Sequence, residues 1–167
     1  MGQQGLLLIL SSFLYTEFGL GIHHASSRPI LSASKLPMKE AFFTTISDAP
    51  SRGLNLGRGT SVMLVNDRTG AANVDVHINH INVDSGPGER HFHAKAENVY
   101  IVLEGCLEVV VEGERHLLYK DDVGFIPPGV VHTAGNAGTH GICRVIEVYA
   151  PAGPDFHVVE EWTRPQL

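Results

Sequence analysis

The stretch "ERHFHAKAENVY", residues 89–100, sets two histidines one residue apart and follows them with a Glu-Asn pair. If the segment is extended, His91 and His93 leave the same face with their imidazoles about 6.5–7 Å apart along the chain. Two ring nitrogens at that separation can converge on one cation. Taken alone, a His-x-His pair reads more readily as two solvated histidines on a polar strand. What decides between the two readings lies further along, in "PPGVVHTAGN", residues 127–136. There a Pro-x-Gly turn delivers His132 from another strand, and three imidazoles on one face are a common ligand set for Zn, Fe, Ni or Mn.

The chain around these histidines is strand-like throughout. "VDVHINHINV" (74–83) alternates strictly, with Val74, Val76 and Ile78 on one face and Asp75, His77 and Asn79 on the other. "TSVMLVN", "NVYIVLEG", "CLEVVVEGERHLLY", "DDVGFIPPG" and "GICRVIEVYAP" supply further short strands, the third folded at "EGER" around Gly113. Strands that recur every eight to twelve residues or so, separated by turn residues, predict a sandwich or barrel.

Both histidine stretches resemble the two motifs of the cupin superfamily. The first motif runs from a Gly through His-x-His to an acidic residue and a closing Gly, here "GPGERHFHAKAENVYIVLEG", 86–105. The second runs from a Gly through Pro-x-Gly-x-x-His to Asn, here "DDVGFIPPGVVHTAGN", 121–136. The resemblance covers about 60–151 and implies an all-β fold, the cupin jelly-roll barrel or double-stranded β-helix, with one divalent ion in its mouth. Two glycines of the pattern are displaced. Gly86 stands beside the expected position at Ser85, and Asp121 replaces the second motif's opening Gly, where its tolerance of left-handed backbone suits it.

The resemblance implies three ligands, His91, His93 and His132, and leaves the fourth open. Counted forward from His93, the usual glutamate falls on Glu97; counted back from Gly105, it falls on Asn98. Adjacent strand residues face opposite ways, so both cannot ligate without a bulge. Chemistry favours the Glu97 carboxylate and register favours Asn98. The reading adopted is a three-histidine site with Asn98 a weak contributor and Glu97 turned away. Three neutral imidazoles leave a divalent ion its full charge, which suits anionic or chelating ligands.

Function follows as a set of expectations. The first is an oxygenase or related oxidoreductase acting on a small anionic substrate. The second is an isomerase or lyase acting on a sugar or keto acid, for which His77, His80 or Glu97 could serve as base. The third is a non-catalytic small-ligand-binding cupin. Tyr100 shares the Asn98 face and reads as core, and Arg144 and Glu147 face opposite ways. His116 and His140 read as solvated, and Asn136 as a cap on turn backbone.

Composition excludes other classes. The chain has 167 residues, 43% of them hydrophobic and 18% charged, with a formal net charge of -6. That suits one globular domain, and without a Lys/Arg cluster it argues against nucleic acid or an anionic membrane as partner. Cys106 and Cys143 lack any paired spacing and read as free thiols in a reducing compartment. Residues 1–37 read as an N-terminal extension, loosely ordered or belonging to an overlong start. Their apolar run has no preceding Lys or Arg and no clean cleavage site, so a cytoplasmic protein is expected. The barrel is expected over 38–151 and a tail over 152–167, lying back on it. By analogy with small cupins, a homodimer is expected, its contact made by the N-terminal segment or by "FHVVEEW".

Overall fold

The computed structural model describes residues 41–162. The expected extension over 1–37 therefore lies outside the described residues. Eleven strands follow one another: β1 (Ser51–Gly53), β2 (Gly59–Val65), β3 (Asp75–Ile81), β4 (His91–His93), β5 (Glu97–Glu104), β6 (Cys106–Val111), β7 (Glu114–Tyr119), β8 (Val123–Ile126), β9 (His132–Asn136), β10 (Cys143–Ala150) and β11 (Phe156–Val158). They form two antiparallel sheets, β1-β2-β3-β10-β5-β8 and β11-β4-β9-β6-β7. This is the jelly roll expected from the sequence. Among the described residues no helix is long and apolar enough to cross a membrane.

Local chemistry explains the corners. β6 and β7 are joined at Glu112 and Gly113, both with positive φ (48° and 91°), and Val111 pairs with Glu114. Two consecutive left-handed residues give a turn whose twist matches that of the strands it joins. Asp121 does adopt the left-handed backbone, at φ 73°. Its amide donates to the Val102 carbonyl at 2.9 Å, which ties the approach to β8 back onto β5.

Register across the larger sheet sorts the barrel interior into rows. Asp75, Tyr149, Asn98 and Ile126 are partners in one row, and His77, Glu147, Tyr100 and Gly124 in the next. Asn79, Val145 and Val102 follow, then Ile81 and Cys143. The last rows join Leu107 and Val109 of the second sheet in the apolar core. One end of the barrel is thus packed with hydrocarbon and the other is lined with polar groups. Of the two faces of β3, it is Asp75, His77 and Asn79 that share the interior with Ile81, all of them buried.

The smaller sheet brings the two histidine stretches together. β4 and β9 pair with His91 directly opposite His132. The Pro-Pro-Gly turn closes the arrangement, because the Gly129 amide donates to the His93 carbonyl at 2.7 Å. Gly135 lets β9 pass close to the loop before β4. A Cβ there would lie 2.9 Å from the Pro87 Cα, a backbone atom that cannot rotate away. Gly135→Ala should therefore lower stability by about 1–3 kcal/mol, read as a reduced urea midpoint with an unchanged slope.

Candidate metal centre

Each of the three imidazoles is oriented by a main-chain carbonyl. His91 Nδ1 lies 2.8 Å from the Glu89 oxygen, His132 Nδ1 2.9 Å from Val130 and His93 Nδ1 3.3 Å from Asp155. A carbonyl can only accept, so each Nδ1 carries the proton and each Nε2 keeps its lone pair. One ligand atom from each of His91, His93 and His132 lies within 4.8 Å of the others, and all three residues are buried. The Nε2 atoms of His93 and His132 are buried without a hydrogen-bond partner, as is the Asn98 Oδ1. Orphaned buried acceptors are costly, and a cation would satisfy those that can reach it.

Burial holds the triad neutral. It depresses the His91 pKa to about 3, helped by the neighbouring His132, and it lowers His93 and His132 in the same direction. Neutral imidazole is the form that binds a metal ion.

The structure separates the two candidates for the fourth position. Glu97 is exposed and lies outside the group of three, whereas Asn98 is fully buried. The Asn98 Nδ2 donates to the Tyr100 hydroxyl at 2.9 Å, and the Tyr100 ring stands edge-on to His132. The exposure of Glu97 follows from alternation on β5, which puts Asn98, Tyr100 and Val102 on the inner face.

A second cluster lines the same interior on the opposite sheet. His77 stands between two carboxylates, with Nδ1 3.4 Å from Asp75 Oδ1 and Nε2 3.2 Å from Glu147 Oε2. Both partners accept, so both ring nitrogens donate and the ring is an imidazolium. Burial alone would lower the His77 pKa; the hydrogen bonds and charges of Asp75 and Glu147 overturn that and raise it to about 9. Burial would likewise raise Glu147, but the bond and charge of His77, with the Tyr149 hydroxyl donating at 2.7 Å, bring it to about 2. His80, the other candidate base, lies on the outer face, where Arg144 Nε approaches its Nε2 at 3.4 Å. Sequence alternation alone could not tell which of His77 and His80, or of Arg144 and Glu147, faces inward. Register settles both at once by pairing His77 with Glu147 and His80 with Arg144.

A cavity of about 1280 Å³ opens over this wall and reaches His91, His77, Glu147, Tyr149, Arg58 and Phe156. Among the described residues Arg58 pairs with no carboxylate; its Nη1 donates to the Ala134 carbonyl at 3.1 Å, and its buried Nε has no partner. The remaining candidates are peripheral. His116 and His140 are exposed, and Asn136 bridges the Ile81 and Gly141 carbonyls while accepting from the Gly138 amide. Cys106 and Cys143 are both free thiols.

The family model for the cupin domain matches residues 80–149, which include all three histidines and Glu147. Residues 80–149 thus carry a cupin domain, and the described fold is that of cupin structures. Similar solved structures include the polyketide cyclase RemF from Streptomyces resistomycificus, at 22% identity and a TM-score of 0.62, covering 72% of this cupin and 86% of that chain. KdgF from Halomonas sp. matches at 17% identity and a TM-score of 0.59, covering 68% and 96%. A cupin-superfamily sugar phosphate isomerase from Silicibacter pomeroyi matches at 18% identity and 0.60, covering 70% and 80%. At these identities the likeness concerns the fold. An uncharacterized protein of Aquifex aeolicus is 34% identical over 62 residues, 37% of this cupin and 50% of that protein. The match spans only half the length of this curated relative.

The two histidine environments should give the metal-free protein a stability maximum near pH 6.5, about the ordinary histidine pKa. The triad pKa values are depressed, so as pH falls below about 6.5 the unfolded chain takes up protons that the folded chain refuses, and stability drops. His77 is raised, so its contribution is complete below about 6.5 and is lost as pH rises towards 9. Between those values one retained proton gives a slope of about 1.4 kcal/mol per pH unit. Urea melts across pH 5–9 should show both limbs, and His77→Gln should flatten the alkaline one alone.

Proposed function

We propose that this cupin is a metal-dependent enzyme that moves a proton within a small, chelating, anionic substrate, chemistry of the isomerase or lyase class. The observation that supports this reading best is the buried imidazolium of His77, held between Asp75 and Glu147 on a cavity that also reaches His91. A charged group in that position is costly unless it is paired, and here it is paired on both sides. The arrangement stores a proton at His77 Nε2, against an acceptor, Glu147 Oε2, that faces the interior.

His91, His93 and His132 would hold the ion through Nε2, with the Asn98 Oδ1 available on the same inner surface. When bound, a divalent ion supplies Lewis acidity to a substrate oxygen. Its identity, among Zn, Fe, Mn and Ni, is left open by three imidazoles. Glu147 would receive the proton that leaves substrate carbon once substrate loosens the bonds from His77 and Tyr149, which hold its pKa at about 2 in the resting protein. A proton returns from Glu147 to a neighbouring atom after exchange with solvent, so an isomerisation balances without a further reactant. Arg58, paired with no carboxylate among the described residues, supplies a positive charge for the far end of an anionic substrate.

Two measurements test this. Metal analysis of the purified protein should find one divalent ion per chain, with His132→Ala lowering its content at least tenfold. Unchanged metal content in that variant sinks the site. The loaded protein, screened against small keto and hydroxy acids and sugars, should exchange solvent deuterium into a substrate without consuming oxygen. Glu147→Gln should slow that exchange on the order of 100-fold while keeping the metal. Substrate-dependent oxygen uptake without deuterium exchange would instead support the oxygenase expectation, which uses the same three ligands. Arg58→Met should raise KM for an anionic substrate more than it lowers kcat.

A further inference from the structure

The chain returns to the triad after its last long strand. The Asp155 carboxylate accepts from the main-chain amides of Ala94 at 2.8 Å, Lys95 at 3.1 Å and Ala96 at 3.4 Å. Those amides form the turn that leaves His93 at the end of β4 and enters β5 just before Asn98. The main-chain oxygen of the same Asp155 is the acceptor for His93 Nδ1. The next residue, Phe156, stacks on the His91 ring at 3.9 Å and 21° and meets His93 edge-on at 5.9 Å. Two consecutive residues therefore contact two of the three imidazoles, one fixing a proton position and the other covering a ring.

Among the described residues the segment is also held by its pairing with β4 and by His157 stacked on the Phe92 ring. β11 has three residues, all exposed, and within the sheet it pairs only with β4. Beyond it the Val159 amide donates to the Arg90 carbonyl, and Arg90 lies over the Trp162 ring. A short edge strand with exposed side chains opens locally at low cost unless something anchors it. The three amide bonds to Asp155 are that anchor, because charge-assisted bonds from main-chain amides are among the stronger ones.

We infer that residues 154–158 form a strap whose docking is thermodynamically coupled to cation binding at His91, His93 and His132, with Asp155 as the positioning residue. The inference rests on the metal reading above. Asp155 gives the ion no lone pair. It acts through His93, whose ring it holds with Nε2 turned inward, and through Phe156, which it seats against His91. Coupling of this kind is reciprocal: whatever the strap adds to metal affinity, the metal adds to strap docking. Loss of an outer partner of a ligating histidine typically weakens metal binding by about 10–100-fold.

The test uses the full chain with Zn(II) and Co(II) as probes. Asp155→Ala and Phe156→Ala should each weaken Zn(II) binding by about 10–100-fold in a chelator competition. Glu160→Gln, on the same tail beyond the strap, should leave it unchanged. The Co(II) visible bands should shift in Asp155→Ala at full loading, a change that mere loss of stability would not produce. In the unaltered protein, saturating Zn(II) should slow amide exchange at 156–158 at least tenfold more than in the β6–β7 hairpin. That comparison needs no variant, so a variant that fails to fold leaves it standing. If the unaltered protein binds Zn(II), His132→Ala does not, and Asp155→Ala binds within twofold of the unaltered affinity, the strap is refuted and the metal site survives. Equal slowing of strap and hairpin refutes it too. If the unaltered protein binds neither ion, the metal reading falls and takes the strap with it.

Discussion

Three hydrogen bonds to main-chain carbonyls govern the rest of this molecule's chemistry. Glu89, Val130 and Asp155 each present an oxygen to one Nδ1, and that choice directs three lone pairs inward. Because the acceptors are backbone, the orientation of each ring is set by strand register and turn geometry. No side-chain rotamer has to cooperate. The pairing of His91 with His132 and the bond from Gly129 to His93 are therefore as much part of the site as the histidines.

The pocket also has a charge balance that the ligand set alone would not suggest. Asp75, Glu147 and the His77 imidazolium sum to one negative charge, while the triad is neutral. A divalent ion added to them brings the interior close to what three histidines and a glutamate ligand would give. In this cupin Asn98 occupies the register position where the family usually has that glutamate. The negative charge sits instead on the Asp75–His77–Glu147 cluster, with Glu147 on β10 opposite Tyr100.

Sequence made the strands, the turns and the three histidines legible, because these depend on local periodicity and on spacing within short motifs. Asp121 could be read as left-handed, and His93 and Asn98 as sharing an inner face, for the same reason. The His77–Glu147 pair was not legible. Its members stand 70 positions apart, and alternation on β3 defines two faces without saying which turns inward. The usual guide, that the apolar face is buried, does not decide on this strand, because Ile78 on one face and Asp75, His77 and Asn79 on the other are all buried. Asp155 was hidden for a related reason: a carboxylate in a Pro-Ala-Gly-Pro-Asp stretch looks like turn chemistry. Its partners, Ala94, Lys95 and Ala96, lie some 60 residues back, in the turn inside the first motif.

The apolar packing at the far end of the barrel bears on traffic. Val102, Leu107, Val109, Cys143 and Val145 are at most 2% exposed, so that end offers no passage. Among the described residues the cavity that reaches His91 is instead walled in part by Pro154 and Phe156. If an ion sat at the triad with a chelating ligand over it, exchange along that wall would be sequential: the ligand, arriving last, would have to leave first. The lifetime of such an ion would then be tied to the occupancy of the cavity above it.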